Sequence, residues 1–237
     1  MFFTRLPIPS ESEWQADDLK KAATYFPLVG WLVGAVGAGA WWLAARVWPP
    51  AIASGISLAV TLLLTGAFHE DGLADVCDGF GGGYTKERVL AIMRDSRVGA
   101  FGAIGVVMAL GLKWQAVAAL PPLLTPLSLV AAHGLSRGAA VSLMATLPYV
   151  REEESKAKPM ATELRGVRLL VALAFAVAPL AFLPVRLAWC LGPVVMVRFL
   201  LGRWFMYRIG GYTGDGLGAA QQVSEIVIYL SFLALLR

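Results

Sequence analysis

Long apolar stretches separated by short polar ones make up most of the chain. A membrane span takes roughly 20 mostly apolar residues. The first such stretch runs from about Pro27 to Val47 and the second from about Ala51 to Phe68. The third covers about Ala100 to Leu120, and Pro121-Pro122 separates it from a fourth, about Leu123 to Leu147. A fifth, about Val167 to Leu183, ends at Pro184; a shorter one follows from about Leu187 to Leu201, and the last is about Val223 to Leu236. The pair around Pro184 reads either as two short spans or as a re-entrant hairpin. The pattern predicts an all-α, polytopic integral membrane protein with about six to seven transmembrane helices. Residues 1–26 form a leading segment. Its apolar start is cut by Pro7 and Pro9 and followed by Glu11, Glu13, Asp17 and Asp18, so it does not read as a cleaved signal peptide. An interfacial helix from Ser10 to Thr24 suits its charges, acidic in the first turns and Lys20-Lys21 near the end.

Lys and Arg gather in alternate connections. Lys86, Arg88, Arg94 and Arg97 follow span two, Arg151, Lys156, Lys158 and Arg165 follow span four, and Arg203 and Arg208 precede the last span. Seven spans with an internal N-terminus put all three groups in the cytoplasm. Every sizeable polar segment then faces the cytoplasm. Composition agrees: of 237 residues 58% are hydrophobic and only 15% charged, against about 25% charged in soluble domains, and the mean hydropathy is +0.67. The net charge of +4 is explained by these loops and implies no nucleic-acid partner. Two cysteines exclude a disulfide framework and a complete cysteine zinc site. With no internal repeat or low-complexity tract, residues 1–237 read as a single membrane-embedded domain.

Within this apolar background one stretch is strongly acidic: His69-Glu70-Asp71-Gly72-Leu73-Ala74-Asp75-Val76-Cys77-Asp78. Asp71, Asp75 and Asp78 are spaced i, i+4, i+7, so a helix continuing from span two sets all three on one face. Like charges so arranged need a counter-ion, and all-oxygen donors favour Mg²⁺ or Mn²⁺. Glu70 and His69 point elsewhere, as an extra ligand, support or base. A solvated acidic loop is the competing reading; acidic groups next to a bilayer are costly and tend to be functional.

Two further segments carry polar chemistry. Arg94-Asp95-Ser96-Arg97 precedes span three; guanidinium forks suit phosphate oxygens, and Ser96 is placed to cap the following helix. Gly210 to Glu225 is glycine-rich, with Gly214 and Asp215 in a turn that lets a ligand approach the backbone. Inside span four, Arg137 meets either a phosphate or one of the acids. Carboxylates for Mg²⁺, arginines for phosphate and a glycine-rich turn together argue for phosphoryl-group transfer.

The segments HEDGLADVCDGF, TKERVLAIMRDSRVGAFG and GGYTGDGLGAAQQVSE, with TRLPIP and TYFPLVG before them, closely resemble the signatures of bacterial cobalamin synthases, the adenosylcobinamide-GDP ribazoletransferases. The resemblance runs from about residue 3 to the end. It implies a Mg²⁺-dependent enzyme of the bacterial inner membrane, with its site facing the cytoplasm. Such an enzyme joins adenosylcobinamide-GDP to α-ribazole, or its 5′-phosphate, and releases GMP. On this reading Glu70, Asp71, Asp75, Asp78 and Asp215 are metal ligands. Arg94, Ser96, Arg97, Arg137 and Gly214 bind substrate, and His69, Asp78 and Asp95 are the catalytic candidates. The partners are these small molecules and the lipid bilayer, with a homo-oligomer or an assembly with other corrinoid-pathway enzymes left open.

Two rival readings are weaker. A CDP-alcohol phosphotransferase pattern fits Asp71-Gly72-Leu73-Ala74, but Phe68 stands where its first Asp belongs and Asp75 where its Arg belongs. A transporter needs polar groups strung through the membrane midplane, and here most lie to one side.

Overall fold

The computed structural model describes residues 22–150 and 164–237. The expected leading helix over Ser10–Thr24 lies almost wholly outside the described residues, as do Arg151, Lys156 and Lys158.

A short 3₁₀ turn, Ala23–Tyr25, leads into α1 (Phe26–Ala44). Helix α2 (Pro50–Thr65) starts on a proline, whose missing N–H costs nothing in a first turn. It stops at Gly66 and Ala67, both left-handed with φ of 68° and 55°. The chain then turns by 88° into α3 (Phe68–Gly82). Span two therefore does not continue into the acidic stretch, as the sequence reading allowed; a separate helix carries it. A non-glycine residue at positive φ is uncommon, and Ala67 is held there by its N–H donating to Leu62 O at 2.9 Å.

Helix α4 (Lys86–Ile92) is capped by the Thr85 hydroxyl, which accepts from Arg88 N–H at 3.3 Å. Helices α5 (Ala100–Ala119) and α6 (Thr125–Met144) match spans three and four closely. Helix α7 (Val167–Val177) runs into a 3₁₀ turn, Ala178–Phe182. After Pro184 a second 3₁₀ turn, Val185–Cys190, opens α8 (Leu191–Ile209), which outruns the expected Leu187–Leu201 segment. Helix α9 (Gly214–Leu236) begins well before the expected Val223, so most of the glycine-rich stretch is helix.

Among the described residues five helices are long and apolar enough to cross a membrane: Ala23–Ala44, α5, α6, Val185–Ile209 and α9. The bent pair α2–α3 counts as a sixth, and Val167–Phe182 is a shorter apolar helix beside them. Large apolar side chains such as Leu43, Leu63, Ile104, Val107, Val195 and Met196 face outward. Such a surface suits hydrocarbon, since the helices satisfy their own backbone groups. Helix α6 sits at the centre, 83% buried along its apolar window. Small residues let its neighbours close in: a Cβ on Gly34 of α1 would lie 2.7 Å from the Val130 Cα.

Helix α3 is lodged lengthwise between the N-terminal halves of α5 and α9. A Cβ on Gly105 would lie 2.5 Å from Cys77 Sγ, and one on Gly218 would lie 3.3 Å from the His69 Cα. At Gly72 an added Cβ would sit 2.9 Å from the Asp215 Cα, with backbone on the other side of the contact. Backbone cannot step aside as a side chain can. Gly72→Ala is therefore expected to lower stability by about 1–3 kcal/mol, seen as a lower melting temperature in detergent. An unchanged melting temperature would mean that α3 and α9 do not cross this closely.

Candidate active site

Both ends of α3 are tied down by polar contacts. Near its C-terminus, Asp78 Oδ2 accepts from Gly99 N–H at 2.7 Å and Oδ1 from Gly102 N–H at 2.8 Å. These N–H groups open α5, whose first turn has no partners of its own. Asp78 thus caps α5 across the chain and fixes the loop that precedes it. Ser96, the expected cap, is exposed, and Gly99 occupies the N-cap position without a side-chain bond. The last carbonyls of α3 are answered from α8: Arg208 Nη2 donates to Phe80 O at 2.9 Å and to Gly83 O at 2.6 Å. Its guanidinium also lies 5.0 Å from the Phe80 ring. A residue first read as a positive-inside anchor is a C-terminal cap.

At the other end Glu70 is buried, its Oε1 accepting from Gln222 Nε2 of α9 at 2.7 Å. Between the two ties Asp71 is exposed and Asp75 half-buried. The helical spacing expected for Asp71, Asp75 and Asp78 holds because α3 is a helix in its own right. Asp215 stands in the first turn of α9, its backbone against Gly72, so the third acidic segment comes beside the first. Thr213 caps α9 by accepting from Gly216 N–H at 3.1 Å. Gly214, next to it, has open space around its Cα.

The loop after α4 holds its own ion pair. Arg97 Nη2 lies 2.6 Å from Asp95 Oδ2, and Arg97 Nε donates to both carboxylate oxygens at 3.0 and 3.1 Å. The guanidinium is 87% exposed. Hydrogen bonds from Arg97 hold the Asp95 carboxyl down at about 2. A general base works best with a pKa near the working pH, so Asp95 is a poor base and a good holder of Arg97. Arg94 is exposed on the same loop.

Two expected site residues lie elsewhere. His69 is buried, with its ring stacked on Phe26 at 5.9 Å and edge-on to Phe68. It faces the helix bundle because α3 restarts after the Gly66-Ala67 break with that side against α1. Arg137 is 1% exposed at the heart of α6. Its Nη1 donates to His133 O at 3.0 Å and lies 3.2 Å from His133 Nδ1. Helix α6 is enclosed by neighbours, so Arg137 belongs with the buried groups and not with a substrate phosphate.

This geometry gathers the three segments picked out in the sequence around α3: the loop through Asp78, the glycine-rich segment through Gly72. The model of the family described as cobalamin-5-phosphate synthase matches residues 1–233. The chain belongs to the cobalamin-5-phosphate synthase family. It is 52% identical to the adenosylcobinamide-GDP ribazoletransferase of Ralstonia pickettii (strain 12J), over 98% of this chain and 92% of that protein. It is 46% identical to the protein of the same name from Shewanella frigidimarina (strain NCIMB 400), over 98% and 91%. No solved structure matches it.

In this family member the donors on and beside α3 are carboxylate oxygens, the type Mg²⁺ takes. Among the described residues no three of His, Cys, Asp and Glu form a group able to hold a metal. The fit is therefore to an ion held by one or two carboxylates together with substrate phosphates, the usual arrangement for Mg²⁺, and not to a protein cage.

Lys113 and Gln221 escape the sequence pattern, and Glu225 enters it only as the end of the glycine-rich stretch. All three are buried. Gln221 Nε2 donates to Glu225 Oε2 at 2.8 Å, and Tyr229 donates to Glu225 Oε1 at 3.3 Å. The available signal was an ionisable residue inside an apolar span.

Replacing Asp78 with Ala leaves the Gly99 and Gly102 N–H groups without acceptors. Hydrogen exchange at those two amides should rise at least about tenfold, in line with losing a charge-assisted hydrogen bond; unchanged exchange would show that Asp78 is not the cap. The Asp95–Arg97 pair has its own pH signature. A carboxyl lowered from 3.8 to about 2 favours the ordered loop above the ordinary value and loses that effect as pH falls through about 2. An NMR titration of Asp95 should show it ionised across the neutral range, with no inflection near pH 4.

Proposed function

We propose that the chain transfers the adenosylcobinamide-phosphate group from adenosylcobinamide-GDP to a free ribose hydroxyl of α-ribazole, or of α-ribazole 5′-phosphate. The products are adenosylcobalamin, or its 5′-phosphate, and GMP. The observation that carries this reading is the meeting of the acidic helix, the arginine loop and the start of α9, tied by Asp78 and by the Gly72–Asp215 contact. The names of its relatives supply the substrates.

The oxygen of a free ribose hydroxyl on the acceptor forms a bond to the phosphorus already attached to cobinamide. The bond from that phosphorus to the bridging oxygen breaks, GMP leaves with that oxygen, and the hydroxyl gives up its proton. Bound Mg²⁺ would supply charge neutralisation on the pyrophosphate and the departing GMP. One or two of Asp71, Asp75 and Asp215 would hold it together with the substrate phosphates, with Asp78 anchoring the loop beside them. Arg97, held out by Asp95, and Arg94 receive phosphate oxygens in the forked geometry of guanidinium. Gly214, at the start of α9, leaves room for a phosphate to approach the backbone. His69 is too enclosed to exchange a proton with substrate. The reaction takes place at the cytoplasmic face of the bacterial inner membrane, an orientation that rests on the Lys and Arg content of the loops.

Purified protein in liposomes with adenosylcobinamide-GDP, α-ribazole and Mg²⁺ should yield cobalamin and GMP in equal amounts, and EDTA should abolish both. Asp75→Asn and Arg97→Ala should each lower turnover by at least about tenfold through lost charge stabilisation, with membrane insertion intact. Well-folded protein that gives no product, but turns over a CDP-activated lipid precursor, would overturn this reading.

A further inference from the structure

The three helices that carry the reactive segments also meet a second time, inside the bundle, around one cation. Lys113 of α5 is 3% exposed. Its Nζ lies 3.3 Å from Glu225 Oε2 of α9 and 3.7 Å from Glu70 Oε1 of α3. Both carboxylates are themselves buried, 2% and 8% exposed. Each has neutral donors as well. Gln222 bridges them, donating from Nε2 to Glu70 Oε1 at 2.7 Å and to Gln221 Oε1 at 2.8 Å, while Gln221 serves Glu225 at 2.8 Å. His133 Nε2 lies 3.6 Å from Glu225 Oε1, and the same histidine ring meets Arg137 from the other side. Neutral donors align a carboxylate but do not cancel its charge. Without Lys113, only the buried Arg137 would offset the charges of Glu70 and Glu225, and an uncompensated buried charge is costly.

The geometry has a functional consequence. Helix α3 is pinned at Asp78 to the start of α5 and at Glu70 to Lys113 of the same helix. Two ties eight residues apart, about 12 Å along a helix, fix both its position and its rotation. Asp71 and Asp75 lie between them. Glu225 extends the inner tie to α9, the helix that brings Asp215.

We infer that Lys113 is a positioning residue: by bridging Glu70 and Glu225 it holds the acidic helix and the last helix in the register that sets Asp71, Asp75 and Asp215 beside the arginine loop. It touches no substrate. This inference rests on the proposed reaction for its kinetic readout but has a second readout that does not.

The second readout uses Cys77, on the α3 face that packs against Gly105 of α5. In a Cys190→Ala background, maleimide labelling of Cys77 reports separation of α3 from α5. Lys113→Met should raise the labelling rate at least tenfold and cut kcat at least tenfold, with KM for adenosylcobinamide-GDP within threefold of wild type. If Lys113→Met fails to fold, Lys113→Met/Glu225→Gln serves, because it keeps the buried charge in balance with Arg137 against Glu70. The double variant should regain the wild-type melting temperature yet keep the low kcat and fast Cys77 labelling, and Lys113→Arg should restore part of both. Wild-type kcat and labelling in the folded double variant would show that Lys113 only neutralises charge, and would overturn the inference. A wild-type protein that makes no cobalamin would overturn the reaction instead, leaving the labelling comparison to decide the role of Lys113.

Discussion

A charged helix inside an apolar bundle has to have its ends and its charges answered, and the arrangement of the other helices follows from that constraint. Helix α3 carries Glu70, Asp71, Asp75 and Asp78 between two helices of membrane-spanning length. Its C-terminal carbonyls are taken by Arg208, its outer carboxylate by the first N–H groups of α5, and its inner carboxylate by Gln222 and Lys113. The partners come from three helices, α5, α8 and α9. The glycines at 72, 105 and 218 supply the room, because only a bare backbone lets helices approach closely enough for these bonds to form. Close packing and charge satisfaction are two aspects of one requirement here.

Much of this was legible in the sequence because apolar length and prolines are local signals. Spans one, three and four fall within a few residues of α1, α5 and α6. The boundaries that moved have a common cause. Glycine-rich residues 214–218 read as a turn from their propensity, but tertiary packing against α3 makes them helix. The break at Gly66-Ala67 was hidden because the apolar run continues through it. Ala67 carries no sign of a left-handed conformation. The segment beyond Pro184 is longer than expected because Arg203 and Arg208 read as the loop after it. Instead both lie within α8, and Arg208 caps α3.

The candidate site was legible as a set of segments and less so as a set of roles. Residue type and spacing marked out the acidic helix, the arginine loop and Asp215, and the fold brings these together. Spacing alone did not separate Asp78 from Asp71 and Asp75, since all three share one helical face. What distinguishes Asp78 is a long-range partner, two backbone N–H groups more than twenty residues away. Arg137 and His69 were drawn in by charge and by neighbourhood. Their burial depends on which helices surround them, and a linear pattern does not record that.

Lys113 also bears on the order in which the molecule can be made. A lysine near the middle of a span costs about 2.5–3.5 kcal/mol to insert alone, and its nearest counter-charge belongs to α9, the last helix. During synthesis α5 emerges long before Glu225 exists. Until then Glu70, on the earlier α3, is among the described residues the one carboxylate beside that ammonium, at the greater distance of 3.7 Å. Lateral assembly is completed only when the C-terminal helix arrives. The half-built protein is in this sense electrically open, and arrival of the final helix closes it.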